Sequence, residues 1–161
     1  METKPLKRHD DIVKLSKDHH AGLLFCWKIR QGVKFHVEKN RMIRYVKYYW
    51  DHHFSTHFHE EEAFLFAPVK NDEVQKAIED HQKIKIFIDK IGVSGVEKKE
   101  DDLLELADTV DNHIRFEERI LFPHLQKTLS EAQLQKIGEQ IDDAPFVENY
   151  EDQFWIKSPS L

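Results

Sequence analysis

HFHEEEAFLF, His57 to Phe66, returns later in the chain as HIRFEERILF, His113 to Phe122. The copies agree at five of ten positions (His, Glu, Glu, Leu and Phe), where composition alone gives about one or fewer. In each, a histidine is followed four residues on by a glutamate, His57 to Glu61 and His113 to Glu117. On a helix such a pair shares one face, a single turn apart. Leu65 and Leu121 continue that face by another turn, which assigns both pairs to a buried stripe. The first copy closes a predicted helix from about Asn40 to Phe66, through Ile43, Val46, Trp50 and Phe54, stopped by Pro68. The second lies in a predicted helix from about Lys99 to Leu129, through Leu103, Leu106, Val110 and Ile114, with a kink or break expected at Pro123.

Outward from these two, apolar spacing from Ile12 through Leu15, Leu23, Cys26 and Ile29 predicts a first helix over about Asp10 to Arg30, ended by Gln31-Gly32. Asn71-Asp72-Glu73 caps a third, through Val74, Ile78, Ile84 and Ile88, closed by Gly92-Val93-Ser94-Gly95. These two carry a fainter repeat, KDHHAGLLF from Lys17 against EDHQKIKIF from Glu79, sharing Asp, His and the last Phe. That register pairs His19 with His81 and sets His20 opposite Gln82, so His19 is the inward histidine. Ser130-x-x-Gln133 reads as a capping box opening a short fifth helix to about Ile141. The tail from Asp142, with Pro145, Pro159, Phe146, Tyr150, Phe154 and Trp155, is expected to be irregular and to pack back on the helices. The expected architecture is all-α: an antiparallel up-down-up-down four-helix bundle, about 10–129, with a C-terminal extension, about 130–161, in one domain of 1–161.

Composition agrees. In 161 residues, 5 glycines and 5 prolines are too few for a barrel or sandwich of many short strands. Lys+Arg of 24 against Asp+Glu of 30 gives a net −6, which disfavours nucleic acid and anionic lipid as partners. The longest apolar run, Ala63 to Val69, is far short of a membrane span. A single cysteine, Cys26, and a start without an apolar leader core point to the cytoplasm. The outlying figure is 11 histidines.

Four helices thus direct His19, His57, Glu61, His81, His113 and Glu117 into one interior. An unpaired buried carboxylate alone costs several kcal/mol, a penalty that a bound cation removes. Imidazole and carboxylate suit iron, manganese or zinc, and six side chains exceed one tetrahedral ion, which favours two ions sharing the carboxylates. His53, a turn before His57, is placed to ligate or to hydrogen-bond a ligand. His9, His20, His36, His52 and His59 are expected at the surface or in loops, with His124 beyond Pro123. Glu62 and Glu118, rotated by about 100°, are expected to pair with Lys or Arg on the rim. The charge run Glu97 to Asp102 reads as solvated. The Glu-x-x-His of ferritin-like bundles is missing, and His59-Glu60 fails the zincin pattern because residue 63 is alanine.

LSKDHHAGL, HFHEEEAFLF, EDHQKI and HIRFEERILFP together resemble the hemerythrin-like family, also described as the HHE cation-binding domain, over about Asp10 to Leu129. The resemblance implies a four-helix bundle around a non-haem di-iron centre, two iron ions bridged by two carboxylates and an oxo or hydroxo group. Carried over, the ligands are His19, His57, Glu61, His81, His113 and Glu117. The oxygen-carrying members place a second histidine on the third helix where this chain has Lys85, and an aspartate where it has Glu118. Four His and two Glu is similar to the bacterial iron-centre repair proteins and the iron-sensing domain of certain F-box proteins, although neither the repair proteins' cysteine-bearing domain nor an F-box is expected here. One histidine fewer leaves a coordination position for dioxygen, peroxide or nitric oxide, with Phe25, Phe87 and Phe116 expected to limit access. The implied role is binding or reaction with such a ligand in sensing, storage or stress defence. The alternatives are iron storage or sensing without redox turnover, and a metal-free helical interaction protein.

Overall fold

The computed structural model describes residues 7–93 and 97–157; Ser94, Gly95 and Pro159 fall outside them. A short 3-10 turn, Asp10–Ile12, leads into α1, Val13–Lys34. The second rod, α2, runs continuously through Lys39–Tyr49, Trp50–Phe54, Ser55–Glu60 and Glu61–Leu65. Then follow α3, Asp72–Ile91, and α4, made of Glu100–Phe116, Glu117–Leu121 and Phe122–Thr128, and finally α5, Glu131–Gln140. Among the described residues there is no strand, and no helix is long and apolar enough to cross a membrane.

The apolar residues fall into two clusters, and their order along each rod gives the topology. On α1 the cluster holding Ile12 and Leu15 comes before that holding Phe25, Cys26 and Ile29. On α2 the order is inverted, from Met42 to Phe58 and then Leu65 and Phe66. It reverts on α3, with Val74 and Ala77 before Ile84 and Ile88, and inverts again on α4, with Leu103 to Ile114 before Leu121 to Leu125. Alternating order on successive rods is the up-down-up-down bundle. Along the rods His19, Glu61, His81 and Glu117 fall between the two clusters, and His57 and His113 sit one residue before Phe58 and Ile114, where the first cluster ends on α2 and α4, so the bundle contains a polar layer with an apolar plug at each end.

Caps form where short polar side chains meet free backbone N–H groups. Asn71 Oδ1 accepts from Val74 N–H at 2.8 Å, and Ser130 with Gln133 closes a reciprocal capping box. Gly32 does not end α1; a Cβ there would sit 2.6 Å from Met42 Sδ and 2.9 Å from the Phe154 ring, so this glycine admits the tail. The helix instead ends on His36, in the left-handed region at φ 55°, with His36 N–H donating to Val33 O and Val37 N–H to Gly32 O. This is a Schellman closure with histidine where glycine is usual. A His36→Gly chain is expected to be more stable by about 1 kcal/mol, since a left-handed non-glycine residue costs about that much; urea unfolding measures it, and an unchanged or lower midpoint contradicts the assignment.

Of the tail aromatics, Phe154 and Trp155 are buried and Phe146 packs on the cluster that holds Phe25, Cys26 and Ile29, the upper cluster, the one with Ile12 and Leu15 being the lower, while Tyr150 is exposed. Lys98, in the charge run read as solvated, donates to the carbonyls of Ile91, at 2.7 Å, and Val93 at the end of α3.

Candidate metal centre

Each copy of the long repeat contains a feature absent from an ideal helix. The Glu61 carbonyl accepts from Phe66 N–H at 2.8 Å and the Glu117 carbonyl from Phe122 N–H, both five residues on. A widened π-turn therefore begins at each glutamate of the histidine-glutamate pairs, a form common at functional sites. The extra residue in the turn brings Phe66 and Phe122 inward beside Leu65 and Leu121, all four being at most 1% exposed. Pro123 follows the second π-turn in the first turn of the resumed helix; it has no N–H to give to the preceding turn, and there the Glu118 carbonyl accepts from Arg8 at 2.9 Å. The hydrogen-bond pattern changes there without the rod ending.

His19, His57, Glu61, His81, His113 and Glu117 are all buried, the two carboxylates completely. They form two groups whose ligand atoms lie within 4.8 Å of one another: His19, His57, Glu61 and Glu117, and Glu61, His81, His113 and Glu117. Each group can hold one ion, and both glutamates belong to both. The Nε2 atoms of His57, His81 and His113, both Glu61 oxygens and Glu117 Oε2 are buried with no hydrogen-bond partner. Buried nitrogen and oxygen atoms without partners, converging on one interior, form a donor set that suits cations.

The opposite edge of every imidazole is held by a carboxylate. His57 Nδ1 donates to Asp18 at 3.0 Å, His113 Nδ1 to Asp80 at 3.2 Å, His19 Nδ1 to Glu118 at 2.7 Å and His81 Nδ1 to Glu62 at 2.7 Å. These bonds set the tautomer, turning Nε2 toward the centre, and raise the basicity of the ring. The pattern follows the repeat: an acid directly before the histidine on α1 and α3, and directly after the candidate glutamate on α2 and α4. Glu62 and Glu118 therefore do not merely line the rim. Glu118 does accept from Arg8 at 2.8 Å, yet its other oxygen orients His19. Their rotation of about 100° points them at the neighbouring helix, where the partner ring lies. Lys14 and Lys76, each one turn earlier, pair with Asp18 and Asp80 at 3.0 and 2.8 Å.

Burial and repulsion by Glu117 push the Glu61 carboxyl up, and the His57 and His19 imidazoles outweigh them, holding it at about 2. Burial likewise opposes charge on His19 and His81, but the Glu117 and Glu61 carboxylates facing their Nε2 atoms, with the bonds to Glu118 and Glu62, hold both well above the ordinary imidazole value. His53 differs: burial and neighbouring His57 lower it to about 4, so the ring is neutral, stacked 5.8 Å from His57 with Nε2 3.3 Å from Asp18 O. It belongs to neither ligand group.

The rings against the centre are not those expected. Phe58 lies flat on His81 at 3.9 Å between centroids, and Phe122 and Phe66 stand 5.0 Å from His19 and 6.0 Å from His81. Phe25 stacks instead on Tyr49 and Tyr45 in the upper cluster, Phe87 packs against that cluster, and Phe116 packs against the lower one. His20, His36, His52, His59 and His124 are exposed, and partly buried His9 accepts from Asp11 N–H before α1. Lys85 is exposed and pairs with Asp89. Cys26 is a buried free thiol pushed up to about 12 by desolvation.

Residues 7–125 match the family model of the hemerythrin HHE cation binding domain. The chain belongs to that family. No curated protein and no solved structure matches it. The matched span of this hemerythrin domain covers the first three rods, the fourth up to Leu125, and every side chain of the two groups.

Proposed function

We propose that this hemerythrin domain is a non-haem di-iron protein that binds or reacts with dioxygen, peroxide or nitric oxide in sensing, storage or stress defence. The observation carrying this reading is the pair of four-residue groups sharing both glutamates. His19 and His57 would hold one ion, His81 and His113 the other, with Glu61 and Glu117 between them; nitrogen and oxygen donors without thiolate suit iron, and other first-row divalent ions share the preference. Two imidazoles and the shared carboxylates leave coordination positions for an outside ligand, and with Lys85 at the surface no further imidazole comes from α3. When bound, the iron pair supplies redox and ligand-binding capacity. The chain orients each imidazole through a carboxylate and surrounds the site with Phe58, Phe66 and Phe122, which exclude water. One free buried cysteine fits the cytoplasm, and the bundle with its extension is read as one domain.

The test is anaerobic loading with two equivalents of Fe(II), then stopped-flow mixing with dioxygen, hydrogen peroxide or nitric oxide. A near-ultraviolet or visible absorption change with at least one is expected. Silence toward all three in a loaded chain overturns the reactive reading in favour of storage or sensing. Less than one metal per chain from iron-replete cells, with no reconstitution, favours a metal-free helical protein.

A further inference from the structure

The register that carries His19 onto His81 also carries Lys14, Asp18, Phe25, Lys28 and Ile29 onto Lys76, Asp80, Phe87, Lys90 and Ile91; that carrying His57 onto His113 takes Thr56 onto Asn112. The two halves should thus present equivalent grooves, α1 against α2 and α3 against α4. The first is covered by the chain's own tail. Lys28 donates to Glu148 at 2.6 Å and lies 4.1 Å over the Trp155 ring, and Tyr45 donates to the same Glu148 oxygen at 2.7 Å. Phe146 packs edge-on against Tyr49 at 4.8 Å and His53 at 5.1 Å. Beneath, with the tail as outer wall over Asp18 and His57, a cavity of about 260 Å³ remains. The second groove is walled at one end by Glu97, Lys98 and Lys99, has no tail laid across it among the described residues, and measures about 710 Å³. Lys76, Asp80, Phe87, Lys90, Asn112 and His113 line it, each the counterpart of a residue in the first half.

Lys28 is buried with its acid; Lys90 is exposed and has no carboxylate partner among the described residues. We propose that the α3/α4 groove docks an extended acidic segment of a partner protein, its carboxylate on Lys90 as Glu148 is on Lys28 and an aromatic side chain against Phe87 and Ile91. The tail shows the chemistry that fits: residues 142–157 carry Asp142, Asp143, Glu148, Glu151 and Asp152 against one lysine, Lys157. Lys83 and Lys90 supply positive charge on the α3 wall, while Asp102 and Glu105 on the α4 wall direct the carboxylate toward α3. A small anion would satisfy Lys90 and leave the apolar floor wet, so a segment with both features is the better complement. Seated there, it covers Asp80 and His113 as the tail covers Asp18 and His57.

The probe is a fluorescein-labelled synthetic peptide with the sequence of residues 142–157, titrated into the full chain and read by anisotropy and backbone amide shifts. Saturable binding is expected, with shifts at Lys83, Lys90 and Asn112, and about ten-fold or greater weakening in Lys90→Glu. Because Lys90 is exposed, that variant should keep its circular dichroism. Absence of saturation at millimolar peptide, equal binding to Lys90→Glu, or shifts confined to α1 and α2, meaning exchange with the tail in its own groove, overturns the proposal.

Discussion

A Glu117→Gln chain, anaerobically loaded with Fe(II) or Zn(II) and desalted, is expected to retain well under one metal per molecule, whereas His57→Ala should retain about one. The difference follows from membership: Glu117 and Glu61 belong to both ligand groups and His57 to only one. Glutamine keeps the volume of the buried side chain and removes the charge, which separates loss of ligation from loss of folding. Both variants leave imidazoles without the carboxylate that holds up their charge, and alanine should destabilise the chain further because it also opens a cavity at a completely buried position. Glu62→Ala and Glu118→Ala form the next tier. They leave every donor in place but release His81 and His19 from their orienting bonds, so affinity should fall about 10–100-fold while loading at saturating metal persists. Metal-to-protein ratios by elemental analysis, with circular dichroism as the folding control, decide this. Equal retention by Glu117→Gln and the parent chain removes the shared-carboxylate arrangement.

The graded effects mirror what could be read from residue order. His19 was separable from His20 because register against α3 and position in the apolar stripe agreed, and His19 is buried where His20 is exposed. The four orienting acids were visible as the shared Asp18 and Asp80 and the second shared glutamate, Glu62 and Glu118. Their role was hidden because it is a contact between helices: a wheel drawn for one helix puts them off the buried face, and that face turns toward the next rod's imidazole. The π-turns left no mark in composition, since Glu61 to Leu65 has ordinary helix formers; the widening serves to bury Phe66 and Phe122 below the ligands. Phe25 was misplaced for a simpler reason. Six residues beyond His19 is more than one turn along the rod, which lifts the ring into the upper apolar cluster.

Metal loading should produce the largest thermal response of this chain. At free metal 100 times the dissociation constant each site adds about 2.7 kcal/mol, so two add about 5, and at about 2–4 °C per kcal/mol the midpoint rises by roughly 10–20 °C. The pH dependence has a definite sign. In the metal-free chain the raised His19 and His81 stay protonated beside Glu61 and Glu117, so they contribute stability fully present below the unfolded imidazole value of about 6.5. That contribution is lost as pH rises through the raised folded values. The carboxylates act oppositely: held low in the fold, they stabilise above the unfolded value of about 4.5 and lose that effect in acid. The metal-free midpoint should therefore fall from neutral toward alkaline pH. Loading displaces the imidazole protons, so affinity strengthens as pH rises and the gap between loaded and metal-free midpoints widens. Scanning calorimetry with saturating Zn(II) or with chelator, at matched pH from 6 to about 9, reads both trends. A metal-free midpoint that climbs over that range, or one that metal leaves unmoved, is incompatible with four imidazoles and two acids exchanging protons for cations in one buried layer.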